Sequence, residues 1–553
     1  MKKIFVQFVA ILMALTILPT SSVLAARNRD RDDEESNLIR VGLYYGSNAL
    51  PGANLQNYVG EGFQFGYMDD DEFCWVGETE ETAISMVKSQ NVYYSDTLPE
   101  GGYGYSDKIE TDIVVGCYHL RLDESFDDFE EALEAAEDTD GFPAWIDGEY
   151  EVRIGAYTSK KSAEKAARKI DEDVTVVGTS SYGITVVETG SDQPLFQFDD
   201  RDALVVRPGL DDDEPAITHF KGYRYYGDFS YERIDGDNLT VVSLVDLEDY
   251  VRGILPYEMN NAWPIEALKA QAVCARSYTM TNLGRHSNYN FDICNTTHCQ
   301  VYYGVNKAND LTDEAVDDTA GEMAWYDGEI IEAYYHSSDG GATEDIENVW
   351  YEEIPYLRGV EDIYEPLVED EIPQYRWTKT YTGEELQDRL NDLELSGVDF
   401  EFGEIVDVRV TETTDMGNVY SVTITDENGE EYTVYKDSVR TVLGARSLRF
   451  TISGGGDGYS LTNDEYISRL EKAWVLSEDG ELERLEDGPF YALTADGTEK
   501  VTAPENSDGT FVLSGAGHGH NLGLSQWGAY AMAMEGYDYI DILEFYYTGI
   551  EIE

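Results

Sequence analysis

Residues 244–283, LVDLEDYVRGILPYEMNNAWPIEALKAQAVCARSYTMTNL, decide how the rest of the chain is read. The pattern predicts a short helix, a break at Pro256 and then a long helix. Pro264 suits the first turn of the second helix, where a missing N–H costs no hydrogen bond. Behind it Ile265, Leu268, Ala272 and Ala275 recur at near-helical spacing, with Glu266 and Lys269 between them. Glu258 stands just before this helix among Leu255, Pro256, Tyr257, Met259 and Trp263. Such neighbours penalise an ionised carboxyl and raise its pKa, as a general acid needs near neutral pH. The same residue also reads as a partly buried glutamate capping the helix that follows.

The run L-E-D-Y-V-R-G-I-L-P-Y-E-M, followed by W-P-I-E-A-L-K-A-Q-A-V-C-A-R-S-Y, resembles the signature of the stage II sporulation protein D family. That family includes the LytB-type amidase enhancers. The resemblance implies a peptidoglycan lytic transglycosylase with Glu258 at the position of the catalytic acid. It implies an α+β fold, a mixed α/β catalytic module of the stage II sporulation protein D type.

The composition bounds the partners. With 111 acidic residues against 38 Lys and Arg, the formal net charge is −73. Such a surface offers nothing to neutralise a phosphate backbone, which argues against nucleic acid or anionic lipid as partners. An apolar share of 42% and 41 tyrosines argue against wholesale disorder. Residues 1–26 read as a signal peptide: Lys2 and Lys3, an apolar run over residues 4–18, and small residues around Ala25 at the cleavage position. The protein is therefore expected to be secreted or held at the cell surface. The rival reading is a membrane anchor formed by residues 4–18, and only then is the membrane a partner. No later apolar run approaches the ~20 residues needed to cross a bilayer.

Residues 27–37 form a charged spacer, and residues 38–68 read as the first strands of the catalytic module. From residue 69 the sequence departs from the family, returning near 196, so 69–195 read as an insertion and 196–553 as the main part of the module. Within the insertion, residues 148–190 give an alternating strand, a helix rich in alanine and lysine, and two Val-rich strands. This resembles the SPOR module, a small α/β domain that binds glycan strands stripped of stem peptides. Residues 114–137 read as a degenerate second copy, because Gly116-Cys117-Tyr118 echoes Gly155-Ala156-Tyr157. Lys160, Lys161, Lys165, Arg168 and Lys169 crowd one helix, either as a patch for acidic sugars or as a solvated face.

Cys294, His298 and Cys299 fall within six residues, and His286 lies eight residues upstream of Cys294. Two thiolates and two imidazoles suit a structural zinc, and some family members with this D-x-C-x-T-x-H-C-Q-V-Y pattern are similar to zinc-binding proteins. A Cys294–Cys299 disulfide is the alternative in an exported chain. Cys274 reads as a buried free thiol, and Cys74 and Cys117 share the insertion as a possible pair. The chemistry itself needs no cofactor.

Two further motifs resemble family hallmarks. Residues 334–344, YYHSSDGGATE, match an H-S-x-x-G-G-x-T-E loop, whose paired glycines allow close backbone approach while His336, Ser337, Ser338 and Thr343 offer groups to sugar hydroxyls. The C-terminal GAGHGHNLGLSQWGA, from Gly515, offers His520 and Gln526 as sugar contacts, with Asn521 where the family has glycine. A purely structural glycine hairpin is the alternative, and His518 with His520 as a metal pair is another. Gln271 and Arg276, on the helix after Glu258, are candidates to hold substrate; Arg276 reads equally as a structural salt bridge.

A lytic transglycosylase manages with one carboxyl where ordinary glycosidases use two. The expected reaction cleaves the bond between N-acetylmuramic acid and N-acetylglucosamine in peptidoglycan glycan strands, leaving 1,6-anhydro ends. The rival function is a non-catalytic glycan-binding enhancer of a cell-wall amidase, with that amidase as partner. A zinc amidase is the third reading, disfavoured because no catalytic base stands near the thiol cluster.

Overall fold

The computed structural model describes residues 37–454 and 510–553, apart from 70, 99–101, 179, 211–214, 351, 394 and 396–400, together with paired strands between 459 and 501. The expected signal peptide, and the spacer up to residue 36, lie outside the described residues. The fold is mixed α+β.

Two sheets carry the N-terminal half. In the first, seven strands run in the order Ile293–Cys294, Leu38–Tyr44, Thr240–Asp246, Asp228–Glu232, Leu204–Pro208, Phe63–Asp69 and Glu72–Thr79. Leu38–Tyr44 pairs antiparallel with Thr240–Asp246, setting Leu38 opposite Asp246. Thr240–Asp246 is buried over six of its seven residues, so its Val- and Leu-rich sequence reads as a run rather than an alternation. It ends at Asp246, whose side chain accepts from Glu248 N–H and caps the helix Leu247–Glu258.

The second sheet has ten strands, in the order Val174–Val177, Tyr118–Leu122, Glu149–Tyr157, Phe142–Ile146, Pro194–Asp199, Ile184–Glu188, Ala83–Lys88, Gly52–Val59, Ile217–Phe220 and Tyr223–Tyr225. The strands of residues 69–195 are thus hydrogen-bonded into both sheets. Within them, Tyr118–Leu122, the helix Phe129–Thr139, Phe142–Ile146, Glu149–Tyr157, the helix Lys160–Ala167 and Val174–Val177 form one β-α-β-β-α-β unit. Its strand order is fourth, first, third, second, the split βαβ arrangement. The two Gly-x-Tyr echoes belong to its two central strands, where Tyr118 lies directly opposite Tyr157. The apparent repeat is therefore two halves of a single unit, because each half is a β-α-β in its own right.

The helix Ile265–Thr281 is buried on nearly every side, from Ala267 to Thr279. It packs against the helices Leu247–Glu258, Asp310–Asp318, Gln526–Glu535 and Tyr539–Tyr546. The small side chains Ala267, Ala270, Ala272 and Ala275 let these helices approach while Leu268 and Val273 fill the space between them. Beyond it, a meander of Ile405–Thr413, Val419–Asp426 and Glu431–Tyr435 and a sheet of Arg376–Thr382, Thr510–Ala516 and Phe450–Gly454 lead into the C-terminal glycine motif. Among the described residues no helix is long and apolar enough to cross a membrane.

Candidate active site

Pro256 does not break its helix, contrary to the sequence expectation. Leu247–Glu258 runs through it and ends on Glu258, closed by the Met259 N–H to Leu255 carbonyl bond. A proline near a helix end forfeits only one intrahelical bond, and here the surrounding core holds the last turn. Glu258 is therefore the last residue of one helix and not the cap of the next, whose N-cap is Pro264 without a side-chain bond. That position matters for its chemistry, because the negative end of the helix dipole disfavours a carboxylate.

Glu258 is half-buried. Its Oε1 accepts from Val301 N–H at 2.8 Å. Burial pushes its pKa above the ordinary carboxyl value, opposed by the Val301 N–H and by the Tyr335 hydroxyl. Tyr335 in turn receives Gln300 Nε2 at 3.4 Å, and Gln300 Oε1 accepts from Thr279 Oγ1 at 2.8 Å and from Tyr250 at 3.2 Å. The acid thus rests on a chain of buried polar groups. Sequence reading missed Tyr335, Gln300 and Val301, since contacts across 40 to 80 residues of chain leave no local pattern.

Tyr335 and His336 form a short strand parallel to Leu524–Ser525. Side chains alternate along a strand, so Tyr335 meets Glu258 while His336 turns the other way. His336 Nδ1 contacts the Leu522 carbonyl at 3.1 Å, and its ring lies 5.4 Å from that of His520. His520 accepts from Leu522 N–H through Nδ1 at 3.1 Å. Burial lowers both imidazoles, His520 to about 3, so both are neutral. Gly519, at φ 135°, passes directly over His336, where a Cβ would come within 2.6 Å of the histidine Cβ. His336 and His520 form one side of the loop pair and Glu258 the other.

Ser338, Thr343, Gln271 and Gln526 are buried and bonded within the protein. Ser338 Oγ and Ser525 Oγ both donate to Glu365, at 2.7 and 2.5 Å, and Asp339 and Gly340 add backbone N–H bonds. Glu365, with Asp362 and Asp339, is a buried carboxyl set that ties the two glycine loops together. Asp362 takes the Tyr546 hydroxyl at 2.6 Å, and a Cβ at Gly528 would strike that pair. Thr343 Oγ1 accepts from Val360 N–H at 2.9 Å, tying the loop to the segment beyond the helix Ile346–Val349. The carbonyl of Ser337 receives Trp527 N–H, and Gln526 Nε2 donates to Gln271 Oε1 at 3.1 Å. Asn521 takes the left-handed backbone, φ 63°, and bridges the carbonyls of Asp339 and Ala342.

Arg276 is fully buried and gives its guanidinium to Glu248, Thr319 Oγ1 and the Val316 carbonyl. It faces the core between helices, so the salt-bridge reading describes its position. Trp263 and Trp527 meet edge to face at 4.6 Å, with Tyr530 against both. Of this aromatic trio, Trp263 stands five residues beyond Glu258 in sequence, and Trp527 and Tyr530 come from the helix Gln526–Glu535.

His286, Cys294, His298 and Cys299 bring their ligand atoms within 4.8 Å of one another. His286 Nε2 lies 3.3 Å from Cys299 Sγ, and His298 Nδ1 lies 3.5 and 3.8 Å from Cys299 and Cys294. All five cysteines are free thiols here. Cys274 is buried beside the Tyr547 hydroxyl, as expected of a core thiol. Cys74 contacts Tyr67 in the first sheet, whereas the Cys117 N–H donates to Asn91 Oδ1, and the two thiols are unpaired with each other.

A family model described as Stage II sporulation protein matches residues 235–326, which carry Glu258, the long helix and the thiol cluster. A domain of unknown function matches residues 364–466. An uncharacterized protein of Brachyspira hyodysenteriae is 29% identical over 398 residues, 72% of this chain and 86% of that protein. The Bacillus subtilis Stage II sporulation protein D is 28% identical over 56% of this chain and 75% of its own. The Bacillus subtilis amidase enhancer is 30% identical over 54% of this chain and 39% of its own length. Over residues 235–326 the chain is thus similar to the stage II sporulation protein family, as its motifs led one to expect.

Proposed function

We propose that this chain is an exported peptidoglycan lytic transglycosylase that uses Glu258 alone as acid and then base. The observation that carries the reading is the setting of Glu258: a half-buried carboxyl with raised pKa at a helix C-terminus, held by the Val301 N–H and the Tyr335 hydroxyl. In the first step Glu258 donates its proton to the glycosidic oxygen between N-acetylmuramic acid and N-acetylglucosamine. The C1–O bond breaks and the N-acetylglucosamine leaves with a free hydroxyl. The Glu258 carboxylate then takes the proton of the muramic C6 hydroxyl as O6 bonds to C1, closing the 1,6-anhydro ring. Acid and base duties return the side chain to its starting state. Glu258→Gln is expected to reduce turnover of peptide-free glycan strands by roughly 10²–10⁴-fold; full activity in that variant removes the mechanism.

The same family includes the Bacillus subtilis amidase enhancer, and one feature favours a binding role alongside catalysis. The β-α-β-β-α-β unit of residues 118–177, with the exposed cations Lys160, Lys161, Lys165, Arg168 and Lys169, supports a SPOR-like glycan-holding module. If Glu258→Gln and wild type are equally inert yet both hold glycan, the chain is an enhancer of a wall amidase.

The thiol cluster supports a structural zinc held by His286, Cys294, His298 and Cys299. With Zn–S near 2.3 Å and Zn–N near 2.0–2.1 Å, a tetrahedral site sets S···N edges of roughly 3.5 Å. The three S···N contacts of 3.3, 3.5 and 3.8 Å bracket that value. With four protein ligands, such an ion supplies rigidity and leaves no open position for substrate.

A further inference from the structure

A groove of about 580 Å³ opens between Trp350 and the strand-turn-helix of residues 432–441. Three tyrosines line it, Tyr420, Tyr432 and Tyr435, together with Lys436, Asp437 and Thr441. Tyr420 and Tyr435 meet edge to face at 6.3 Å, and Tyr435 is 52% exposed. The Ser438 and Thr441 side chains are exposed along the adjoining helix Ser438–Leu443. The wall is fixed to its neighbour: Lys436 Nζ donates to the Trp350 carbonyl at 2.6 Å, and Asp437 N–H to the Val349 carbonyl.

Trp350 is the shared partition. Its ring meets Tyr334 edge to face at 4.7 Å and lies 5.4 Å from His520. Tyr334 precedes Tyr335, whose hydroxyl touches Glu258. The groove therefore adjoins the glycine loops on the face opposite the acid. Most of its lining comes from the segment matched by the domain of unknown function, not from the segment matched by the family model.

From this arrangement we infer that the groove is a second saccharide site, taking the N-acetylated aminosugar rings of a glycan strand. The inference rests on the glycan-cleaving reading above and extends it to a new surface. Its lining suits a sugar on three counts. Half-exposed aromatic faces accept the C–H face of a pyranose ring. Asp437, Ser438 and Thr441 present an acceptor and hydroxyls to sugar hydroxyl and acetamido groups. The volume falls within the range of small-ligand clefts, and the lining combines aromatics with a few polar groups in the manner of such sites. A strand lying here is held apart from the reacting bond, so the groove adds affinity without touching chemistry.

The test is calorimetric titration of the full chain with chitotetraose, an N-acetylglucosamine oligomer, comparing wild type, Tyr435→Ala, Tyr420→Ala/Tyr435→Ala and Glu258→Gln. Thermal melts check that each variant is folded. The expected result is binding by wild type and by Glu258→Gln. Tyr435→Ala should weaken the groove's affinity at least tenfold, and the double variant should lower the stoichiometry by one. Wild-type binding that both tyrosine variants retain in full overturns the groove and leaves the glycan reading standing. Absence of saccharide binding by the wild type overturns both.

Discussion

Val301, whose N–H holds Glu258 Oε1 at 2.8 Å, is only two residues downstream of Cys299, whose thiol faces His286 and His298. The loop that gathers the thiols and imidazoles also presents the hydrogen bond that fixes the acid. Whatever holds Cys299 in place therefore sets the position of the Val301 N–H. An ion held by that loop, as proposed, would thereby fix the hydrogen bond to Glu258 without approaching substrate.

The first prediction follows from that link. Elemental analysis should find about one zinc per chain, and chelation or Cys299→Ser should lower both the melting temperature and the turnover number. Metal ligation of this kind contributes directly to folding stability, so loss of the ion should be visible by thermal melting before any assay. A chain without zinc, melting unchanged in chelator, contradicts the structural-zinc proposal.

A second prediction concerns pH. The Glu258 pKa is raised in the folded protein by burial. A carboxyl of this kind binds its proton more tightly when folded than unfolded, so its contribution to stability is present below the unfolded carboxyl range. That contribution is lost as pH rises through the folded value. Glu258→Gln removes the penalty: at neutral pH it should melt at or above wild type, with the gap closing as pH falls below the ordinary carboxyl range. Melts of both proteins across that window test the sign.

Tyr335→Phe separates positioning from chemistry. The tyrosine hydroxyl stabilises the ionised form of Glu258, opposing burial. Its removal should raise the acid's pKa further and shift the alkaline limb of the rate profile to higher pH. KM for glycan should change little, because Tyr335 stands behind the carboxyl. A profile that keeps its shape would mean that the hydroxyl does not act on Glu258.

Arg276 calls for a stability measurement. With its guanidinium fully buried and bonded to Glu248, Thr319 and the Val316 carbonyl, Arg276→Met should destabilise the chain by about 3 kcal/mol in denaturant, leaving unpaired partners behind. At temperatures where the variant is folded, KM should match wild type. A selective rise in KM with unchanged stability would return Arg276 to the cleft.

Much of this site was legible in the residues, and the limits have physical causes. The desolvating neighbours of Glu258 are adjacent in sequence, so its setting could be read from residues 255–263 alone. Cys294, His298 and Cys299 are likewise local, and His286 joins them through the short turn that follows the long helix. What could not be read are contacts made by strand pairing. Tyr335 meets Glu258 and His336 meets His520 because one two-residue strand lies beside Leu524–Ser525, and a motif does not reveal which side each residue faces. Asp339, Asp362 and Glu365 were hidden among 111 acidic residues, where their burial has no compositional mark. Pro256 misled for a related reason: packing around Leu247–Glu258 outweighs one missing hydrogen bond. The echo between Tyr118 and Tyr157 is a true resemblance, but it relates paired strands of one unit instead of two copies.

In the proposed mechanism Glu258 serves both as acid toward the glycosidic oxygen and as base toward the C6 hydroxyl. Mass spectrometry of peptide-free glycan strands digested by the full chain reads this directly, with Glu258→Gln in parallel. The account predicts muramic ends lighter by one water than hydrolytic ends, produced by wild type and absent with the variant. Ends that carry the water, or anhydro ends produced equally by Glu258→Gln, would contradict it.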